Sequence, residues 1–441
     1  MGEEEANILK VAEKLLESHA LCDSCLGRQF ATLGYGMSNS ERGRSLKTVL
    51  MLQAYAEAEA GKREKIEFLE KLASNGGFEP ASQALKRLGV KAKPSRECEI
   101  CRNVLSKVSR FAEEAARLLA KYEYESFLVG VKVPAEVLEA EDSIRGYYGL
   151  AWGESIKSEF SREIGKAISK LTGRNVEFKN PDVVVTVSPY EDKVEVKANP
   201  IFIEGRYRKL VAGIPQARWL CSRCRGKGCE ACNWTGKKYP ESVEEIIEKP
   251  ILEQSEGEKA EFHAGGREDI DARVLGTGRP FVVEVKDPKR RSLNLDEIAR
   301  EINSSGKVEV EGLRMADRGA VARVKSAEAA TKTYRIVVEA EEDLQDGEFK
   351  QIEEFFTGRL IRQWTPRRVL HRRANKEREK MVYSIQVKPL SKRSFEAVIN
   401  CQGGLYVKEL VDGDEGRTKP SMAEVLGKKL KCVDLTVLRV G

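Results

Sequence analysis

Histidine is the scarcest chemistry-bearing residue in this chain of 441: only His19, His263 and His371 occur. So few argue against a Ser-His-Asp triad and against a three-His metal site. No apolar run approaches the roughly 18–20 residues that cross a bilayer, and there is no internal repeat or low-complexity tract. Neither sign of charge is in large excess. Lys plus Arg number 76 and Asp plus Glu 70, a formal net charge of +6. Any affinity for nucleic acid must then come from where the charges sit rather than from their sum. The first residues, Met1-Gly-Glu-Glu-Glu, lack the basic start and apolar block of a signal peptide. The expectation is a cytoplasmic protein whose thiols stay reduced.

An apolar share of 41% is enough for ordinary cores. At roughly 100–200 residues per domain, the length predicts two or three domains. Residues 5–20 place Ile8, Leu9, Ala12, Leu15, Leu16 and His19 on one helical face. A helix-rich stretch follows to about 120, ending in Val104 to Leu119 at the same spacing. Residues 127–133 read as a strand stopped by Pro134, and 155–172 as a helix capped by Gly173. A hairpin is predicted from 182–188 and 193–198 around Pro189-Tyr-Glu-Asp, then a strand from Pro200 to Lys209. After a short Cys-rich stretch, residues from about 240 onward read as strands with intervening helices. The predicted class is α+β and multi-domain. Its parts are a helical metal-binding region 1–122, an α/β part 123–212, a Cys-rich linker module 213–239 and a C-terminal domain 240–441.

Ten cysteines are present, and eight of them form four Cys-x-x-Cys pairs. Cys22-Asp-Ser-Cys25 and Cys98-Glu-Ile-Cys101 are two knuckles that a fold can bring together. Four thiolates at about 2.3 Å make a closed tetrahedral zinc site with no open position for chemistry. Zinc here would staple the N-terminal helices; the alternative is four unrelated buried thiols. The second set, Cys221-Ser-Arg-Cys224 and Cys229-Glu-Ala-Cys232, is separated by Arg-Gly-Lys-Gly, where Gly226 and Gly228 permit a tight reversal. Arg223, Arg225, Lys227 and Lys237 surround it, and Trp219 and Trp234 flank it. Aromatics and cations on one small module suit a nucleic-acid contact; the alternative is a solvated hinge. Cys401 and Cys432 have no partner in sequence and read as core residues.

The most unusual segment runs from His263 to Pro280. Gly265 and Gly266 allow the backbone to approach something closely. If the chain is extended after them, Asp269, Asp271 and Arg273 share one face. Such a row is ordinarily a solvated salt ladder, but beside Arg267 it could present one carboxylate to a ligand. The Gly-Thr-Gly-Arg-Pro turn lacks the Gly-Lys-Ser/Thr ending of a phosphate loop. Further on, Arg359, Arg362, Arg367, Arg368, Arg372, Arg373, Lys376, Arg378 and Lys380 face only Glu377 and Glu379 over the stretch 358–380. Beside Trp364, that strip suits a surface tracking phosphates rather than a merely solvated face. Lys286, Lys289, Arg290 and Arg291 form a second basic cluster.

Gly266-Arg267-Glu268-Asp269 is similar to the Gly-Arg-x-Asp motif of pseudouridine synthases. The longer run to Phe281 resembles the archaeal tRNA synthases that make pseudouridine at positions 54 and 55. Lys332-Thr-Tyr334-Arg resembles that family's Lys-x-Tyr motif, and Thr365-Pro-Arg-Arg-Val-Leu-His-Arg-Arg-Ala374 its basic segment. Gln402-Gly-Gly-Leu-Tyr406-Val-Lys408-Glu-Leu, followed by Asp414-Glu-Gly-Arg-Thr-Lys-Pro420, resembles its last motif. Residues 125–210 resemble a THUMP RNA-binding domain, so the resemblance covers nearly the whole chain.

The resemblance implies an α+β protein with a mainly antiparallel catalytic sheet and a cleft across it. It implies Asp269 as the catalytic carboxylate, with Asp271 as the alternative. Attack on the base and attack on the sugar both remain open. Tyr334 would stack on the target base and handle a proton, Tyr406 and Arg267 would contact the uridine, and Lys408 would pair with Asp269 and keep it charged. Arg367, Arg368, Arg372, Arg373, Lys289 and Arg290 would hold the RNA. Structural zinc and no organic cofactor are expected, with the TΨC arm of tRNA as partner, no membrane, and a monomer. A different THUMP enzyme would carry a glycine-rich cofactor turn or a pyrophosphatase loop, and neither is present. A non-catalytic zinc RNA-binding protein would leave Asp269, Tyr334 and Lys408 as coincidences.

Overall fold

The helical face expected near the N-terminus forms as the helix Ile8–Ser18, which buries Ala12, Leu15 and Leu16. The computed structural model describes residues 7–326, 330–371 and 373–440. It divides into two units, Met1–Asn199 and Pro200–Gly441. In the first, the helices Ile8–Ser18, Asp23–Arg28, Asn39–Glu59, Arg63–Ser74, Glu79–Arg87 and Val108–Leu119 precede a small sheet. That sheet contains β1 (Ser126–Val131), β2 (Asn175–Val176), β3 (Val183–Ser188) and β4 (Lys193–Ala198), in the order β2-β1-β3-β4. The central strand β1 runs parallel to β2 and β3, and β3 and β4 form the expected antiparallel hairpin.

One hydrophobic core runs through this unit from Ala12 to Ala198. The expected division at residue 122 therefore does not separate two cores. A buried ion pair ties the parts together: Arg28, one turn from Cys25, donates to Glu141 at 2.8 Å and to Glu159 at 2.7 Å. All three side chains are buried. Burial opposes the charge on Arg28, but the surrounding acids hold it well above its ordinary value.

The second unit is built on one large sheet. Its strands are β5 (Ile201–Lys209), β6 (Lys259–Ala264), β7 (Arg273–Lys286), β8 (Val308–Ala316), β9 (Lys332–Ala340), β10 (Arg359–Trp364), β11 (Glu377–Ser391), β12 (Ser394–Cys401), β13 (Thr418–Lys419) and β14 (Leu430–Val440). The order is β13-β10-β11-β12-β9-β14-β7-β5-β8, with β6 paired to β7. Every pairing is antiparallel except that of β14 with β7. That parallel contact is only two residue pairs long, Thr436 with Arg273 and Val437 with Val274. Separate cores lie on the two sides of it, one around Ile336, Phe356 and Ile399, the other around Ile203, Tyr207, Phe281 and Ile298.

The structure moves one expected boundary. Ile201–Lys209 does not close the α/β part at 212. As β5 it lies between β7 and β8, and Ile203 and Tyr207 are buried against Phe281 and Val283. The second unit thus starts near residue 200 and takes in the Cys-rich stretch.

Candidate active site

The segment expected to extend as an acid–acid–base row is a turn instead. The N–H of Ala272 closes back on the carbonyl of Asp269 at 3.1 Å, and β7 starts only at Arg273. Gly266, at a φ of +93°, makes the reversal that an L side chain would strain. Neighbouring carboxylates are consequently sorted to opposite sides. Glu268 points into the core, where Arg279 lies at 3.0 Å and the Tyr207 hydroxyl donates to it at 2.9 Å. Asp269 points out, with 27% of its side chain exposed.

Buried donors from elsewhere grip the backbone of this turn. The ammonium of Lys209 donates to the carbonyls of Asp269 at 3.2 Å and Ile270 at 2.8 Å. Gln216 donates to Gly266 at 2.9 Å, and Arg279 to Gly265 at 2.7 Å. Burial pulls Lys209 below its ordinary value despite the acids around it, and pushes the Tyr207 phenol well up. The turn is therefore fixed by groups brought in by β5, the loop after it and β7. No local motif signals them, since Lys209 and Gln216 lie about 60 and 50 residues upstream.

The cation nearest Asp269 differs from the one expected. Arg368 donates Nη1 to Asp269 at 2.8 Å, whereas the Nζ of Lys408 is 3.9 Å away. Lys408 bonds Asp271 instead, at 2.6 and 2.7 Å. Burial works against the charged form of Asp271, but Lys408 outweighs it and holds the carboxyl below its ordinary value. On its other edge Arg368 meets Glu409 at 2.6 Å. Burial would lower Arg368, yet Glu409 and Asp269 hold it above its usual range. Expected as a phosphate contact, Arg368 is turned inward onto the carboxylate.

Asp269 opens onto a cleft of about 490 Å³. Arg267, Lys325, Lys332, Arg373, Arg378 and Lys380 line it together with Arg368 and Lys408, so its field is strongly positive. Tyr334 lies in the wall on β9, opposite Ile399 on β12 and Val437 on β14. Burial, then Cys401, raise its phenol, with Asp269 and Glu268 adding to the rise and Arg279 opposing it, so it stays neutral. Tyr406 takes a 3.3 Å hydrogen bond from Arg373. Buried Gln363 pins the Tyr406 backbone twice, each time at 2.9 Å. Gln363 and Glu409 are contributors that sequence reasoning missed; Glu409 stands next to Lys408 in the quoted motif, while nothing local marks Gln363.

The other expected RNA contacts disperse. Arg373 lines the cleft. Arg367 does not; it pairs with Glu415. Arg372 lies outside the described residues. Lys289 pairs with Asp287 at 2.6 Å and Arg290 with Glu256 at 3.2 Å. Both stand beyond Lys286, at the opposite end of β7 from Arg273. They do not join the cleft, because the strand that carries Asp269 at one end carries them at the other.

The cysteines gather as two sets. The sulfurs of Cys22, Cys25, Cys98 and Cys101 lie within 4.8 Å of one another, as do those of Cys221, Cys224, Cys229 and Cys232. Individual separations are 3.5 Å for Cys22 and Cys101, 3.9 Å for Cys221 and Cys229, and 3.8 Å for Cys224 and Cys232. A tetrahedron with sulfurs about 2.3 Å from its centre has edges of about 3.8 Å, so both donor sets fit a metal site of four thiolates. Cys401 is buried in the sheet core and Cys432 packs against it.

The chain matches the family described as "Pus10, C-terminal" over residues 202–441, and "Pus10 THUMP domain, archaeal" over residues 111–188. The protein named tRNA pseudouridine synthase Pus10 of Methanocaldococcus jannaschii is 43% identical over 435 residues, covering 97% of this chain and 93% of that one. The protein of the same name from Thermofilum pendens is 41% identical over 434 residues, covering 98% and 95%. A solved structure described as "Crystal Structure of a Cbf5-Nop10-Gar1 Complex" aligns over 54% of this chain and 49% of that one, at 17% identity and a TM-score of 0.31. The assignment rests on the sequence matches: one spans more than half of the chain, the relatives cover nearly all of it, and the chain belongs to the Pus10 family.

Proposed function

We propose that this chain is a tRNA pseudouridine synthase that isomerises uridine at positions 54 and 55 of the TΨC arm. The observation that carries the reading is Asp269, held by a buried turn and paired with Arg368, at the edge of a basic cleft that also holds Tyr334, Tyr406 and Lys408. Relatives of nearly equal length are named tRNA pseudouridine synthases.

The reaction breaks the bond between N1 and C1′ and forms one between C5 and C1′. A proton leaves C5 and another is placed on N1, so atoms balance with no added reactant. Asp269 supplies the ionised carboxylate, acting at the sugar or at the base. Arg368 stabilises the negative charge on it in a partly dry site. Tyr334 remains a neutral phenol that can stack on the uracil ring, and the C5 proton goes to an ionised carboxylate rather than to the phenol. Arg373 and Tyr406 orient the nucleotide from the opposite wall. A stacked base cannot reach this cleft, so the uridine is flipped out at about a few kcal/mol, and the cationic walls hold its phosphates.

Both cysteine sets hold structural zinc in this reading, with no open coordination position and no part in the isomerisation. A monomer acting in the cytoplasm belongs to the same reading. Among the described residues no helix is long and apolar enough to cross a membrane.

The test is to incubate zinc-loaded protein with an unmodified tRNA transcript and map pseudouridine position by position. Product at 54 and 55 is expected; none at either position overturns the reading. Asp269→Asn should abolish product, by about a thousandfold or more, while tRNA still binds. Asp271→Asn, with its exposed carboxylate, should cost less than about tenfold. The opposite order would make Asp271 the catalytic carboxylate.

A further inference from the structure

A second hollow, of about 240 Å³, opens on another side of Asp269 and shares Arg267, Arg368 and Lys408 with the main cleft. Its far wall is Pro215, Gln216 and Trp219, from the segment that leads into Cys221. The hollow is smaller than the roughly 300–1,000 Å³ of pockets for drug-sized ligands, and is closer to the scale of one planar ring.

Trp219 is held as a platform. The guanidinium of Arg267 sits over its ring at 5.5 Å, the ammonium of Lys238 at 5.2 Å, and Tyr239 meets it edge-on at 5.7 Å. The stem of the cysteine module fixes its backbone: Lys238 donates to the Trp219 carbonyl at 2.8 Å, and Cys221 to that of Gly236 at 2.8 Å. Outward from this stem the module presents Trp234, 75% exposed, with Arg223, Arg225 and Lys227 also exposed. Trp234 has a φ of +61°, a backbone state that a bulky residue keeps only where its surroundings impose it.

Aromatic faces set among cations, one of them beside a reactive carboxylate, have the composition of sites for unpaired nucleic-acid strands. An apolar protein segment laid there would strip water from those cations without pairing them. The acids that line it, Glu268, Asp269 and Asp271, already have Arg279, Arg368 and Lys408 as partners. We propose that the second hollow receives the unpaired base that neighbours the target uridine in the RNA, stacked against Trp219, and that the Cys221–Cys232 module carries the strand onward past Trp234. This rests on the synthase reading and adds to it a second nucleotide subsite and a role for the module beyond stability.

The test is a cycle between protein and RNA. Unmodified tRNA is compared with transcripts bearing an abasic site at the nucleotide 5′ or 3′ of the target. For the unaltered protein, one of the two abasic transcripts should lose about tenfold in kcat/KM. Trp219→Ala should lose about as much on intact tRNA and nothing further on that abasic transcript, while Trp219→Phe keeps most of the rate. Equal losses from Trp219→Ala on intact and on both abasic transcripts overturn the proposal. So does full activity of the unaltered protein on both abasic transcripts, a result that needs no variant to fold. Trp234→Ala should weaken tRNA binding about tenfold in a titration, and unchanged affinity would remove the module from the track. If the unaltered protein makes no product on intact tRNA, the synthase reading itself has failed.

Discussion

Arg368 bridges Asp269 and Glu409, donating to one carboxylate at 2.8 Å and to the other at 2.6 Å. Burial raises Glu409 above its ordinary value even though Arg368 lowers it, so the glutamate depends on the guanidinium for its charge. Arg368→Met should therefore leave two carboxylates uncompensated and lower kcat by about a hundredfold. Arg368→Lys should restore little, because a compact ammonium lacks the planar fork that reaches both partners. Single-turnover rates with saturating tRNA measure this directly, and a rate within twofold of the parent would show that the pair is not used.

Lys209 is wholly buried, with its ammonium on the carbonyls of Asp269 and Ile270. Lys209→Met keeps much of the volume and removes the donors. It should destabilise the unit by about 1.5–3 kcal/mol, since hydrogen bonds from a buried charge are lost, while the Asp269 and Ile270 carbonyls keep their second donors, the N–H groups of Ala272 and Gly213. The more telling readout is the split between kcat and KM. The residue touches no substrate, so kcat should fall as Asp269 drifts, while tRNA affinity holds. A fall in affinity with kcat intact would mean that the turn is not held from below.

Much of this arrangement was legible in the chain. The helical face of Ala12, Leu15 and Leu16, the hairpin of β3 and β4, and the paired cysteines are local patterns, and they form where periodicity and spacing put them. The Asp269 turn is not legible in the sequence, because alternation applies only if the chain is extended there. Here Glu268 is drawn inward by Arg279 and Tyr207, which become its neighbours only when β5 pairs with β7. Likewise the sequence displays Arg368 and Lys408 as equal cations. Which one meets Asp269 is decided by Glu409 behind Arg368 and Asp271 in front of Lys408. The membership of β5 in the larger sheet was hidden for the same reason, since a strand does not carry its pairing partners in its own residues.

Glu248 gives a stability effect whose sign follows from pH. Burial, then the neighbouring Glu244, push its carboxyl up to about 8, with Arg218 acting the other way and Glu245 and Glu261 adding to the rise. Its Oε1 is buried and lacks a hydrogen-bond partner. Below the ordinary value of 4.5 the folded and unfolded chains both hold the proton, and there is no difference between them. As pH rises from there to about 8, the unfolded chain releases the proton and the folded one keeps it, so stability falls; above that it levels off. Glu248→Gln removes this loss. In urea unfolding its advantage over the parent should be small near about pH 5 and should widen toward about pH 8.5. An advantage that does not grow with pH would mean that the carboxyl is ionised in the folded chain.

The two cysteine sets should respond differently to loss of metal. Cys25, Cys98 and Cys101 are part of the continuous core of the first unit, beside the buried Arg28 pair. There the binding energy of a metal would be folding energy. Cys221 to Cys232 belong to none of the core clusters of the second unit, and most of the module's residues are exposed. Metal analysis should find about two zinc ions per chain, one per four-cysteine set. Cys98→Ser should remove one of them and lower the melting temperature of the first unit by about 10 °C or more, which corresponds to a few kcal/mol at this size. Cys224→Ser should remove the other and leave the main melting transition within about 2 °C, while tRNA binding weakens as it does for Trp234→Ala. Equal melting losses for both variants would place the second set inside the core of its unit.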